Sequence, residues 1–280
     1  METRRIEIDP ISRLEGHGKI SLFLDEAGDV DRAILQIPEL RGFEAFCVGR
    51  PAEEMPRITT MICGVCPTAH HLAATKALDG VYSVEPPPAA RRIRELLHSA
   101  FMVEDHLLHF FFLGGPDFVV GASAPKAERN ILGVVARVGM EVAGRVLDVR
   151  KRCREVLSLI GGRAVHPVCG LPGGVSKAIT EGDRPTIREA AQQSIELCEY
   201  ALEVFDQLVL QHEAHRDLVL GDAYQHRTNY MGLVDDAGKV SFYDGQVRVV
   251  DPDGKRIAQF GPSEYTDHIA EHVEPWTYVK

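Results

Sequence analysis

The spacing of apolar residues changes period along the chain, and each change predicts a different kind of element. Residues 4–37 alternate apolar and polar positions, as in "RRIEIDP" and "GKISLFLDEAGDVDRAILQIPE", with Gly28-Asp29 between two runs. A two-residue period with a turn pair predicts a small antiparallel sheet. From about Pro56 the period lengthens to three and four residues. Residues 64–80 predict one helix. The stretch "PPPAARRIRELLHSAFMVEDHLLHFFFLGG" predicts a second, opened by prolines and closed at Gly114-Gly115. Residues 125–160 predict a third helix, closed by Gly161-Gly162, and Thr186–Leu220 a fourth, closed by Gly221. Their wide apolar stripes predict a bundle with a shared core. Alternation returns at 239–260, where Asp244-Gly245 and Asp253-Gly254 are turn signals for a small β meander. The expected fold is α+β, mainly α: an N-terminal sheet packed on a long-helix bundle, with the meander beside it. The expected organisation is a single domain over 1–280. Residues 1–50 are its β-rich part, 51–235 the bundle, and 236–280 the meander and the start of a further part.

Composition narrows the class. The 280 residues are 45% hydrophobic and 26% charged, ordinary values for a folded domain, and long enough for a core without disulfide staples. The net charge is −10 with no sustained basic run, which argues against nucleic acid as a partner. The short runs Arg91–Arg94 and Arg150–Arg154 fall on helical patterns and read as solvated faces or a protein contact. The apolar runs are too short for a membrane span, and the N-terminus lacks the apolar core of a signal peptide.

Of the six cysteines, Cys63 and Cys66 form a C-x-x-C in "MICGVCPTAHH", and the others are scattered. Scattered thiols fit a reducing compartment better than a disulfide framework. Cys47, Cys153, Cys169 and Cys198 read as small buried apolar residues. Gly64 between the pair permits an unusual backbone turn. The Ala-rich continuation predicts that the pair leads into a helix, whose positive end favours thiolates. Two thiolates suit zinc, nickel, copper(I) or iron–sulfur. A metal site, a redox pair and buried structural thiols all remain open on spacing alone.

Three further stretches carry polar chemistry in awkward places. "PISRLEGHGKI" puts Glu15, Gly16 and His17 inside a strand pattern. "RGFEAF" sets Glu44 ahead of the helices. "GGRAVHPVCGLPGGVSK" is a Gly/Pro-rich loop holding His166. Read alone, Glu15 can be a solvated carboxylate paired with Arg13, Glu44 can pair with Arg41, and His17 is a hydrogen-bonded structural residue. His98, His106 and His109 read as satisfied core histidines, and His212, Glu213 and His215 as a solvated face.

Taken together and in order, "PISRLEGH", "RGFE" and "ICGVCPTAHH" resemble the N-terminal motifs of the nickel–iron hydrogenase large subunit. "GGRAVHP…PGG" and "HLLHFFFLGGPD" also resemble segments of that family. The resemblance implies a nickel–iron centre, with carbon monoxide and cyanide on the iron, held by two C-x-x-C pairs. It makes Cys63 a terminal nickel ligand, Cys66 a nickel–iron bridge, Glu15 the first proton relay and Glu44 a ligand of Mg2+. His70, Arg57 and His166 fall just outside the metal ligands. Heterolytic cleavage of H2 needs a Lewis acid for the hydride and a base for the proton, and this set supplies both.

The resemblance also implies partners. An iron–sulfur small subunit would take the electrons, and "CPTAHHLAATKALD" looks like cytosolic members that work with electron-bifurcating or heterodisulfide reductase modules. The expected location is the cytoplasm. Two departures stand out. Met61 occupies a position where the family has arginine, and the family's C-terminal D-P-C-x-x-C-x-x-H is absent. The second C-x-x-C is therefore expected from a continuation in the same or an adjacent reading frame, and this chain alone is expected to be inactive. The abrupt ending "EPWTYVK" fits truncation better than a natural split. The alternatives are a non-catalytic complex I-type relative of the same fold, or an unrelated C-x-x-C zinc or redox protein.

Overall fold

The computed structural model describes residues 4–222 and 225–277, and Tyr278–Lys280 of the ending lie outside that range. The chain forms two compact units, one made of residues 1–43 with 225–280 and the other of Glu44–Tyr224.

The first unit holds two small sheets. Strands β1 (Arg5–Ile8), β2 (Lys19–Leu24) and β3 (Val30–Gln36) pair antiparallel in that order. The alternation seen in the sequence sets the register, with Ile8 opposite Ile20 and Ile20 opposite Leu35. Gly28 turns the β2–β3 connection with φ +93°, a conformation that favours glycine. "RLEGHG" is not strand interior. It bulges between β1 and β2, closed by the Ile11 amide donating to the Gly18 carbonyl at 2.8 Å.

The second unit is helical. After α1 (Phe43–Cys47) and α2 (Met55–Thr59), the main bundle comprises α3 (Pro67–Val81), α4 (Pro88–Leu108), α5 (Ile131–Val138), α6 (Met140–Gly161) and α7 (Arg184–Phe205). A tiny hairpin, β4 (Gly170–Leu171) and β5 (Gly174–Val175), interrupts the α6–α7 connection. One core cluster joins Leu72 of α3, Leu97 and Phe101 of α4, Val156, Leu157 and Ile160 of α6, and Ala190 of α7. Burying each of the larger of these side chains contributes about 1.5–3 kcal/mol.

Three helix ends differ from the periodicity. α4 does not stop at Gly114-Gly115: it winds on through π-helical turns at His109–Gly114 and Pro116–Gly121, with Gly115 between them in helical backbone at φ −48°. The span 125–160 is two helices, broken where Gly139 adopts φ +86°. The fourth helix stops at Phe205, passes through a π turn, and ends in the separate α8 (Glu213–Leu220). Gly162, at φ +79°, closes α6 as its spacing predicts.

Back in the first unit, β6 (Tyr230–Val234), β7 (Gln246–Val250) and β8 (Arg256–Phe260) form the expected meander, begun earlier than the alternation indicates. The short α9 (Tyr265–His268) follows, and the Leu35 amide donates to the Trp276 carbonyl at 3.0 Å, laying the last described residues along β3.

Several side chains correct the sequence reading. Arg94 has no exposed surface, and Arg150 is nearly covered, donating to the buried Glu104 at 2.6 Å. Neither belongs to a solvated face. His106 is exposed rather than core, and its Nδ1 lies 2.8 Å from the Met102 carbonyl of its own helix, a bond that an N–H at that nitrogen makes. His109 is likewise exposed. His215 is half-buried, bonded to the Leu208 carbonyl at 2.6 Å. Cys153 and Cys169 are buried as expected, whereas Cys47 and Cys198 are only partly covered.

Candidate metal centre

The C-x-x-C sits on a turn between a short 3-10 segment, Thr60–Ile62, and α3. Cys63 has extended backbone and is 7% exposed. Cys66 takes the position just before the helix, and Pro67 fills its first turn, where a missing N–H costs nothing. The Cys66 amide donates to Cys63 Sγ at 3.0 Å. That bond, together with the positive end of α3, places positive dipoles against the sulfur. Gly64 does not need its glycine freedom: its φ is not positive and a Cβ there meets nothing within 4 Å. The pair is turned by the helix start instead.

His70 lies four residues beyond Cys66, one helical turn along the same face. Its ring nitrogen and the two sulfurs all fall within 4.8 Å of one another. This is the only cluster of three or more potential ligands among the described residues. The donor set of two sulfurs and an imidazole suits nickel, zinc or iron rather than a hard cation.

A frame of buried polar groups holds this turn. Thr60 has no exposed surface. Its hydroxyl donates to the Pro67 carbonyl at 2.9 Å, spanning the cysteines, while its own carbonyl accepts from His166 Nδ1 at 2.8 Å. His166 reaches it from the α6–α7 loop with φ +56°, a left-handed conformation uncommon for a residue with a Cβ. His71, 1% exposed, works from the other side of α3. Its Nδ1 faces the Pro56 carbonyl at 3.1 Å and its Nε2 faces the Gly170 amide at 2.9 Å. A carbonyl only accepts and an amide only donates, so the ring is neutral with its proton on Nδ1. Burial, the largest influence, holds its pKa below the ordinary histidine value, in keeping with that form.

The loop carrying His166 and Gly170 is itself anchored by Arg94. Its guanidinium pairs with Asp79 at 2.5 Å and donates to the Leu171 and Gly174 carbonyls, each at 2.8 Å. Asp79 also accepts the Gly173 amide at 2.7 Å. Cys169, beside His71, is pushed up to about 11 by burial and stays a protonated thiol, not a ligand.

The structure thus brings together Cys63, Cys66 and His70, with His166 one residue behind them through Thr60. Arg57 is exposed on α2 and Glu44 is exposed on α1, in the same unit. Glu15 is exposed in the β1–β2 loop of the first unit, where its neighbour His17 pairs with Glu39. His71, Thr60, Asp79 and Arg94 escaped sequence reading. A signal existed for Arg94: it falls four residues after Ala90 and three before Leu97, on the buried stripe of its helix.

Comparison with known proteins agrees with this geometry. Residues 41–138, which include the whole metal cluster, match the family model of the nickel-dependent hydrogenases, and residues 5–40 match a HoxL-like model. An F420-non-reducing hydrogenase iron-sulfur subunit from Archaeoglobus profundus is 49% identical over 99% of this chain and 57% of its own length. An F420-non-reducing hydrogenase vhu subunit from Methanocaldococcus jannaschii is 47% identical over 99% of this chain and 65% of its own length. A crystal structure of an NAD+-reducing [NiFe]-hydrogenase in the H2-reduced state superposes with a TM-score of 0.91 at 37% identity, covering 99% of this chain and 60% of that one. The chain therefore spans between 57% and 65% of the length of these relatives. By sequence and by fold, this chain is similar to the nickel-dependent hydrogenases along nearly its whole length.

Proposed function

We propose that this chain supplies one thiolate pair of the catalytic centre of a nickel–iron hydrogenase, which cleaves H2 reversibly into protons and electrons. The observation that carries this reading is the turn itself. Cys63, Cys66 and His70 converge within 4.8 Å in the segment that matches the family. The bound nickel–iron centre, with carbon monoxide and cyanide on iron, would supply the Lewis acidity for the hydride.

The chain's own residues hold the centre and move the proton. Cys63 would hold the nickel and, as a thiolate, serve as the immediate base, and Cys66 would hold the nickel–iron centre beside it. Glu15 takes the proton onward, Glu44 offers a hard oxygen to Mg2+, and Arg57 and His166 support the site from outside the ligands. The relatives are named as hydrogenase subunits, which supports a multi-subunit enzyme. In that assembly an iron–sulfur small subunit takes the electrons and the rest of the large subunit brings the second C-x-x-C. A heterodisulfide reductase or electron-bifurcating module is the onward acceptor, in the cytoplasm. Among the described residues no helix is long and apolar enough to cross a membrane.

The test is metal analysis and H2 oxidation by the whole complex. Nickel and iron together, both lost with activity in Cys66→Ala, support the reading, and zinc alone overturns it. Glu15→Gln should retain metal and slow proton-coupled turnover; full H2 oxidation in that variant removes Glu15 from the relay.

A further inference from the structure

We infer that His71 is a positioning residue for the metal centre: its neutral imidazole closes a ring of hydrogen bonds around the C-x-x-C turn and so sets where the two sulfurs stand. What the sulfurs hold rests on the hydrogenase reading; the ring of bonds is the chain's own.

The ring can be followed bond by bond. Thr60 precedes the cysteines and Pro67 follows them, and the Thr60 hydroxyl donates to the Pro67 carbonyl at 2.9 Å. Within that link the Cys66 amide donates to Cys63 Sγ at 3.0 Å. From Pro67, α3 runs one turn to His71, whose Nε2 accepts the Gly170 amide at 2.9 Å. Earlier in the same loop, His166 Nδ1 donates to the Thr60 carbonyl at 2.8 Å and returns the path to its start. His71 adds a second tie. Its Nδ1 donates at 3.1 Å to the carbonyl of Pro56 in α2, the helix that leads into the turn. One side chain thereby joins the segments before and after the cysteines to the loop that carries His166.

These two bonds ask for an imidazole in one form. His71 is 1% exposed, so one ring nitrogen must carry a proton for Pro56 and the other must be bare for Gly170. Arg94 and Asp79 hold the same loop farther on, at Leu171, Gly173 and Gly174. A leucine at 71 would strip the Pro56 carbonyl and the Gly170 amide of this partner. The loop then shifts, His166 shifts with it, and the Thr60 carbonyl is released beside the sulfurs. Groups outside the ligands orient a metal site in this way. Sulfur placement matters chemically, because thiolate overlap with the metals sets the electron density that iron passes to carbon monoxide and cyanide.

The experiment compares His71→Leu with His71→Gln. A glutamine amide, like a neutral imidazole, carries an N–H donor and an acceptor separated by one carbon. In this chain without metal, amide hydrogen exchange reads the ring directly. His71→Leu should speed exchange of the Cys66 amide roughly 10-fold, the loss of about one hydrogen bond. Amides around the buried Leu97 should keep their protection. In the whole complex, the same variant should displace the infrared bands of carbon monoxide and cyanide. It should also lower nickel retention against a chelator roughly 10- to 100-fold. His71→Gln should restore all three readings. Thr60→Val, which cuts the ring at its Pro67 link with little change of volume, should displace the bands too and decides the matter if His71→Leu does not fold. Unchanged Cys66 exchange and unchanged bands in the folded variant overturn the role. Equal losses in His71→Leu and His71→Gln overturn it as well, since packing rather than the two bonds would then be at work. A wild-type complex without nickel and iron removes the hydrogenase reading alone, because Cys66 exchange still tests the ring.

Discussion

The ring of His71 accepts the backbone N–H of Gly170 at 2.9 Å, across 99 residues of sequence. Through it the helix that follows the cysteines is tied to the hairpin between α6 and α7. The contact leaves no space at Gly170, where a Cβ would lie 2.1 Å from Thr75 Oγ1 and 2.9 Å from His71 Nε2, both buried. Gly170→Ala should therefore destabilise the chain by about 1–3 kcal/mol, since a rigid interior has no room to yield. Urea unfolding measures it, and an unchanged midpoint refutes the close approach.

Arg94 and Asp79 form an ion pair in which the arginine side chain has no exposed surface and the aspartate is 13% exposed. Removing the carboxylate leaves a buried guanidinium without that anionic partner. Asp79→Ala should cost about 3–5 kcal/mol, and Asp79→Ala with Arg94→Met should recover part of that loss. Denaturant midpoints of the two variants decide it: if the double variant is no more stable than the single, the cost does not come from the stranded charge.

Cys169 gives a pH dependence in the alkaline range. Burial raises its thiol from 9.0 to about 11, so the folded state holds the proton more tightly than the unfolded one. The stability this contributes is fully present below pH 9 and is lost as pH rises toward 11. Cys169→Ala should show a shallower loss of stability across that window than the parent chain. At about pH 8, below the ordinary thiol range, native Cys169 should resist alkylation by iodoacetamide, and labelling as fast as that of partly covered Cys47 would contradict its burial.

His166 combines a left-handed backbone with a hydrogen bond to the Thr60 carbonyl at 2.8 Å. Asn tolerates that backbone and carries a donor, so His166→Asn should cost under about 1 kcal/mol. His166→Val keeps neither the donor nor an easy backbone and should cost about 2–3 kcal/mol. The ordering of the two melting temperatures is the measurement, and equal losses would show that neither feature matters.

Much of this was legible locally. Alternation placed the β1–β2–β3 sheet and the final meander, because a half-buried strand must present every second residue to its core. Three- and four-residue steps placed the helices, and the C-x-x-C marked the turn where Cys63, Cys66 and His70 converge. Helix breaks were less legible. Gly114-Gly115 reads like Gly161-Gly162, yet only the second pair ends a helix: Gly162 takes a left-handed φ of +79°, while Gly115 stays helical at −48°.

The sequence by itself determined which atoms can ligate a metal and which face of each helix is apolar, since both depend on residue type and short-range spacing. Only the tertiary structure decided what holds those ligands in place. His71, Thr60, His166 and the Arg94–Asp79 pair act between segments up to 106 residues apart. A polar side chain's role there depends on whether burial leaves it a partner, and no local pattern contains that partner.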